Sequence, residues 1–466
     1  MGGTLLKRSA LFLYTRHPML FDILNPLEMP SWDSMLLRTP GASFFHGSAW
    51  ARVLSESYGY TPLYFSVIDS EKFRALVPVM EVNSFLTGKR GVSLPFTDYC
   101  DPLIDEGVEF PDRDGIFNKI VEFGKKRGWK YIELRGGNSL LPVSCSQFPV
   151  PSSKNGSSLD PRSSFLAPGP STGTQHPAPC TQLPAVSGQR SAVSDHSVAS
   201  SEAHQPNMVQ GGALLKAEGR SSSESAHQAQ RSPLLPAPST PPPAPCPFTA
   251  YLRHTLDLTR GGEALQAGLR DSTRRNIKKA EREKVEIRVE KTGEAMRAFY
   301  RLNCMTRQEH GLPPQPLNFF QKIYDHVISR GLGFIALASH QGRIIAGSVF
   351  FHFGGKGIYK YGASDRKFQD LRANNLVMWE AVKWFAEKGF KTFCFGRTEM
   401  ENEGLRQFKN GWGAEETRIQ YFRYDLRQGA FVPGKKKGEP AYTGLFRQTP
   451  VPVLNLIGSL FYRHMG

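Results

Sequence analysis

The period of hydrophobic positions along this chain changes in the same order twice. In the first pass, Leu63–Ile68 and Phe73–Val82 read as strands joined by a turn at Asp69–Ser70–Glu71, and Gly91–Phe96 reads as a third strand. Over Gly115–Lys126 the spacing lengthens to that of an amphipathic helix, with Ile116, Ile120, Val121 and Phe123 on one side. The run WKYIELRG at 129–136 then returns to a strand. In the second pass, Gly333–Ser339 and Arg343–Phe353 are strands across a turn at Gln341–Gly342, and Gly357–Gly362 is the third. Arg372–Lys388 is a helix with Val377, Ala381, Trp384 and Phe385 turned inward, and Lys391–Gly396 and Ile419–Tyr424 are further strands. Three strands, a helix and a strand, occurring twice, predict an α/β protein made by duplication.

The two passes are separated by a stretch of another kind. Of residues 151–250, 42 are Pro, Ser or Gly, and Phe165 and Phe248 are the only aromatics. Such a composition cannot bury enough apolar surface to offset its ordering entropy. Residues 146–247 are therefore expected to be a disordered insertion. The chain divides into a first domain at 18–145, this insertion, a segment 248–432 holding a remaining first-domain strand, a basic helix and the second domain, and a tail at 433–466.

Charge separates the halves further. Residues 1–150 carry 16 basic and 16 acidic side chains, whereas 251–466 carry 36 basic against 21 acidic, which accounts for most of the net +16. A field of that sign favours a polyanionic partner: nucleic acid, an anionic membrane or a phosphate-bearing substrate. Residues 263–284 concentrate it. Leu265, Leu269 and Ile277 fall on one helical face, while Arg270, Arg274 and Lys278 form one cationic row and Arg275, Lys279 and Arg282 another. Phosphate contact and a solvated surface helix are both open for this segment. In LRQFKNGWGA, 405–414, Phe408 and Lys409 precede a helix-ending Asn410–Gly411. A lysine placed there can hold its ammonium against an oxyanion developing at an acyl carbonyl, or be an ordinary surface lysine. The six cysteines show no metal-binding or disulfide spacing, so no metal is implied and a reducing, cytoplasmic compartment is expected.

Four segments of the second half share an order and spacing with a known family: STRRNIKKA at 272–280, YKYGAS at 359–364, FCFGRT at 393–398 and FKNGWG at 408–413. With SLPFTDY at 93–99, they make the chain resemble the FemAB-like proteins, peptidoglycan bridge-forming or exopolysaccharide-associated members of the GNAT acyltransferase superfamily. The similarity covers about 20–145 and 248–432. It implies two tandem GNAT-like domains, the acyl-CoA N-acyltransferase fold, with a substrate channel between them. It further implies transfer of an aminoacyl or acyl group to an amine or hydroxyl of a cell-envelope glycan or a lipid-linked precursor. No bound cofactor is implied; the donor is aminoacyl-tRNA or acyl-CoA, and tRNA is then a partner. Phe408 and Lys409 align with the family's Phe-Lys pair, implied to stabilise the reacting carbonyl. Arg274, Arg275 and Lys278 would contact phosphates, and Tyr361, Arg397, Asp98 and Tyr99 would face the channel. Cys394 stands where the family often has Asp, which leaves open a second reading: a non-catalytic GNAT-fold binding protein of the exopolysaccharide machinery. Where acetyl-CoA-dependent relatives have a glycine-rich phosphate loop, this chain reads Gln369–Asp370–Leu371–Arg372–Ala373–Asn374, with no glycine.

In the tail, Val453, Leu454, Leu456, Ile457, Leu460 and Phe461 form one apolar helical face between Arg447 and Arg463. Such a helix lies on an anionic membrane or docks back onto the protein. The short apolar patch near the N-terminus lacks a signal peptide's core and cleavage site, and no run reaches the roughly 18 apolar residues of a span. A cytoplasmic protein, peripheral at the inner face of the membrane where the tail binds lipid, is the resulting expectation.

Overall fold

A computed structural model describes residues 21–69, 71–108, 110–137, 139–141, 245–434 and 442–465. The disorder expected for 146–247 falls, apart from 245–247, outside the described residues. One sheet runs through both halves. In chain order its strands are β1 (Phe21–Leu24), β2 (Thr61–Asp69), β3 (Lys72–Val82), β4 (Arg90–Val92), β5 (Leu103–Ile104), β6 (Tyr131–Arg135), β7 (Thr249–Asp257), β8 (Glu286–Glu290), β9 (Gly333–His340), β10 (Arg343–Phe353), β11 (Lys356–Ser364), β12 (Thr392–Glu399), β13 (Glu415–Asp425) and β14 (Ala430–Phe431). Across the sheet they lie in the order β1-β2-β3-β4-β6-β13-β7-β12-β11-β10-β9-β8, with β5 on β3 and β14 on β13.

Each half contains one parallel pair that starts together and then splays. β4 pairs with β6 only at Gly91–Ile132 and Val92–Glu133, and β11 pairs with β12 only from Lys356–Thr392 to Ile358–Cys394. The two strands that follow are exchanged. β7, the next described strand after β6, pairs with β12, and β13, next after β12, pairs with β6. β7 and β13 then pair with each other in antiparallel register, Glu415–Thr255 to Tyr421–Thr249, and join the halves.

The helices are α1 (Trp32–Leu37), α2 (Ser48–Tyr58), α3 (Phe110–Lys126), α4 (Gly262–Ala267), α5 (Asp271–Arg282), α6 (Gly293–Glu309), α7 (Leu317–Ile323), α8 (Ala373–Glu387), α9 (Glu403–Asn410), α10 (Thr443–Gln448) and α11 (Val451–Phe461). Three cores follow. One lies under α3, where Ile116, Ile120 and Val121 meet β2, β3 and β6. A second lies under α5 and α8, around Val377, Ala381 and Phe385. The largest is shared by both halves, from Trp32 and Trp50 to Phe319, Phe320 and Phe351.

Two expectations need correction and a third is narrowed. The third strand of the first half stops at Val92, because Leu94 and Phe96 take left-handed φ values of 53° and 61° around Pro95, which breaks strand pairing. The basic segment 263–284 is not one helix. It breaks after Ala267, where the Arg270 amide donates to Gly411 O at 2.9 Å and a side chain on Gly413 would press on Gly268 O. Finally, α11 does dock back onto the protein, but through only one edge of its apolar face. It packs through Leu454, Gly458 and the following Tyr462, and leaves Val453, Leu456, Leu460 and Phe461 exposed. A Cβ on Gly458 would sit 2.0 Å from Pro314 O. Gly458→Ala is therefore expected to cost about 1–3 kcal/mol in chemical denaturation through overpacking. An unchanged midpoint and slope would show that α11 shifts freely.

Candidate active site

The splay of β11 from β12 is produced by two bulges. In β10–β11 the register slips at Lys360, so Tyr361 faces Val349 and Tyr359 faces Phe350. The extra residue reverses the alternation. Tyr359 joins the α5/α8 side of the sheet, and Tyr361 joins the shared core against Phe319 and Phe320. In β12 the slip falls between Cys394 and Arg397, where Gly396 adopts φ 71° and a Cβ would meet Tyr359 O at 3.1 Å. Glycine is required there by both conformation and space.

On the Tyr359 side lies a cavity of about 820 Å³. Its floor is Ser348 of β10 and Tyr359, Gly362 and Ala363 of β11. Three helices begin at its walls: α5 with Arg270, Ser272, Thr273 and Asn276, α8 with Arg372, Ala373, Asn374 and Asn375, and α9 with Gly404, Leu405 and Phe408. Neither α5 nor α8 has a side-chain cap. Their first amides and the positive ends of their dipoles therefore favour an anionic group at this wall. Arg372 takes the left-handed φ of 58° just before α8, a conformation glycine adopts at no cost. Burial pushes the Tyr359 phenol up to about 12, against the opposing effect of Ser348, so it stays protonated at neutral pH and can donate a hydrogen bond into the cavity.

The opposite side of the splay is closed by the first half. Residues 93–99 enter it and meet Lys360. The Lys360 ammonium donates to Phe96 O at 2.7 Å and Asp98 Oδ2 at 3.1 Å, and lies 5.2 to 5.8 Å from the rings of Phe45, Trp50 and Tyr361. Burial lowers the Lys360 pKa, and Asp98 opposes that shift. Arg397 stacks over Tyr251 at 4.4 Å and donates to the Tyr421 hydroxyl at 2.9 Å, which in turn donates to Asp98 O at 2.6 Å. Tyr99 lies under the Arg253 guanidinium at 5.1 Å, and burial first, then the neighbouring Cys394, holds its phenol well above the ordinary range.

Asp98, Tyr99, Tyr361 and Arg397 thus gather at the junction of the halves, and Phe408 lines the cavity. Lys409 lies between the two. It is 2% exposed, and its ammonium donates to Gly396 O at 3.2 Å and Arg397 O at 2.9 Å. The family resemblance implies that this charge meets a reacting carbonyl, and the residues alone leave a surface lysine open; the lysine is buried, and its ammonium meets two peptide carbonyls at the β12 bulge, which it clamps. Arg274 is turned back on its own helix start, bonded to Asp271, Ala267 O and Leu269 O, and Arg275 and Lys278 are exposed to solvent. None of the three lines the cavity; α5 presents Arg270 and its hydroxyl and amide residues there instead. Tyr359, Ser348 and Asn374 were not singled out from sequence. The bulge at Lys360 hides Tyr359 from any reading by alternation.

Two splayed parallel pairs, each followed by an exchanged closing strand, define a tandem GNAT-type fold. A family profile described as "Acetyltransferase (GNAT) domain" matches residues 267–414. The Lipid II:glycine glycyltransferase of Staphylococcus haemolyticus is 35% identical over 100 residues, 20% of this chain and 24% of that protein. Its namesake from Staphylococcus aureus is 33% identical over 95 residues, 19% of this chain and 23% of that protein. The match therefore spans about a quarter of the length of these relatives. The crystal structure of FemX superposes with a TM-score of 0.52 over 86% of this chain and 97% of that one, at 11% identity, which is a likeness of fold. Residues 267–414 thus carry a GNAT-type acyltransferase domain, and the chain is similar to the FemAB-like proteins in part of its sequence and in its fold.

Proposed function

We propose that this chain transfers an aminoacyl or acyl group to an amine or hydroxyl of a cell-envelope glycan or a lipid-linked peptidoglycan precursor, in the cavity beside the β11–β12 splay. The observation that carries this reading is the convergence of two uncapped helix starts, α5 and α8, on one side of that cavity, with the protonated Tyr359 phenol in its floor. The helix starts hold the phosphate of a donor, and Tyr359 stabilises the carbonyl oxygen as it gains charge. The 33–35% identity to glycyltransferases named for lipid II supports both the reaction class and a lipid-linked acceptor. Arg372, in the left-handed position that glycine fills freely, places a side chain where CoA pyrophosphate approaches backbone amides in acetyl-CoA enzymes. The donor is then aminoacyl-tRNA, or an acyl-CoA held otherwise than by a glycine-rich loop. A lipid-linked acceptor places the protein at the inner face of the membrane, with the tail as a point of contact. Among the described residues no helix is long and apolar enough to cross a membrane.

Asn374 is exposed at the cavity mouth, so Asn374→Trp blocks the cavity without disturbing a core. Transfer is expected to fall roughly 10²-fold, because a displaced substrate loses its reactive geometry, while thermal stability stays within the range of a surface change. The readout is mass spectrometry of envelope glycans from a deletion strain complemented with each form. A second reading, a non-catalytic binding protein, draws on the closed junction around Lys360 and Asp98. Full restoration of the glycan masses by Asn374→Trp would favour it.

A further inference from the structure

We propose that α11 and the Phe85–Leu86 loop of the first half form one binding face for a membrane carrying anionic lipid. The inference deepens the tail contact described above by adding a second element, remote in sequence, and by naming the lipid chemistry.

The orientation of α11 is fixed by what lies beneath it. Leu454 is fully buried, Gly458 abuts Pro314 O, and Asn455 Oδ1 accepts from the Tyr300 hydroxyl at 3.4 Å. Tyr462 accepts from Arg307 at 2.7 Å and donates to Pro313 O at 3.1 Å. The helix therefore cannot roll its apolar side inward. Leu456 and Leu460 remain 61% and 57% exposed, beside Val453 and Phe461. Four large apolar residues on one short helix face, left in water by a helix that is firmly seated, indicate a surface kept for a partner.

The loop is tied to the same segment. His464 accepts at its carbonyl from Arg90 at 2.9 Å and from Thr87 at 3.2 Å, and its Nδ1 lies 3.0 Å from the Ser84 hydroxyl. The Phe85 ring meets the His464 ring edge-on at 4.5 Å, yet Phe85 is 86% exposed and Leu86 51%. Two apolar elements some 370 residues apart are thus locked side by side by the segment that follows α11.

Charge selects the occupant. Residues 83–90 and 442–465 contain no Asp or Glu, while the exposed Arg447 and Arg463 flank α11 and the half-buried Lys89 stands near the end of the loop; Arg90 is buried and serves to tie the loop to His464. A second copy binding through this face in a two-fold dimer would bring these cations against one another. A lipid surface with anionic headgroups meets them with the opposite sign and accepts the apolar side chains into its acyl boundary.

The test uses the full chain and flotation with vesicles of phosphatidylcholine, alone or mixed with phosphatidylglycerol. Binding to the mixed vesicles is expected, weakening as salt rises. Leu456→Ser with Leu460→Ser, and separately Phe85→Ser with Leu86→Ser, are each expected to weaken it roughly tenfold or more, since each pair removes two large buried side chains. Thermal melting checks that the variants fold. Arg447→Gln with Arg463→Gln should erase the preference for phosphatidylglycerol. The proposal is overturned if neither apolar pair changes binding, or if the wild-type chain floats with neither vesicle. It also falls if Leu456→Ser with Leu460→Ser dissociates a dimer that binds no vesicle, which would make the face a contact between copies. No donor or acceptor is present in this assay, and Asn374→Trp should float as the wild type does, so failure here stays separable from failure of the transferase reading.

Discussion

Lys360→Met is expected to lower the free energy of unfolding by roughly 3–5 kcal/mol, the cost of removing one partner of a buried ion pair. The substitution itself fits: the box of Phe45, Trp50 and Tyr361 accepts a thioether of similar length. The cost comes from what is left behind. Phe96 O and Asp98 Oδ2 lose their donor at a place reached by little water, and the loop 93–99 loses one of its ties to the second half. Since that loop holds Leu94 and Phe96 in left-handed conformations, worth about 1–3 kcal/mol each, it depends on such ties to stay in place. Asp98→Asn in the same chain should recover much of the loss, because the uncompensated charge is gone. Denaturation of the two single variants and the double variant forms a cycle whose interaction energy reads the pair directly. A loss below about 1 kcal/mol for Lys360→Met would mean that the junction is held by its apolar contacts alone.

The second large effect is a pH dependence that Lys409→Met should abolish. Burial, opposed first by Asp98, depresses the Lys409 pKa from 10.5 to about 8. Between those values the unfolded chain holds a proton that the folded chain has released. Stability contributed by this residue therefore rises as pH climbs through the window, and is lowest below pH 8, where a buried ammonium must be carried. The span corresponds to a gain on the order of 3 kcal/mol relative to the Met variant. Other tyrosines and lysines titrate in the same range but do so in both proteins, so the difference in unfolding free energy isolates the residue. Equal slopes for wild type and variant between pH 8 and 10.5 would show that the ammonium is solvated. A residue with this behaviour acts by clamping the bulge at Gly396 and Arg397. Its influence on transfer would then pass through the placement of Arg397 and Tyr359, not through contact with substrate.

What could be read in the linear pattern was whatever depends on local period. Arg343–Phe353 has the strand bounds expected of it, α8 buries Val377, Ala381 and Phe385 as its spacing requires, and the tandem order of elements emerged from alternation alone. What escaped depends on a single extra residue or on a remote partner. One bulge at Lys360 sends Tyr359 and Tyr361 to opposite faces, so the tyrosine chosen from the YKYGAS segment was the one in the core. The break after Ala267 is set by Gly411 and Gly413, some 140 residues away, and no helical periodicity records it. Lys409 was recognisable as unusual from its neighbours Phe408 and Trp412, but the carbonyls that hold it belong to another strand. The side on which α11 docks is decided by Gly458, where the absence of a side chain matters more than the apolar stripe beside it.

The exchange of closing strands has a consequence for how the protein is made. During synthesis the first half leaves the ribosome well before its neighbour β13, which lies beyond residue 414. Until that strand is released, β6 presents an open edge with unpaired amides and carbonyls, and the core under α3 lacks Phe422 and Leu426. The core under α3 therefore closes only after β13 has been made. A nascent chain arrested between β6 and β13 would hold a sticky edge, which β13 covers once it is released.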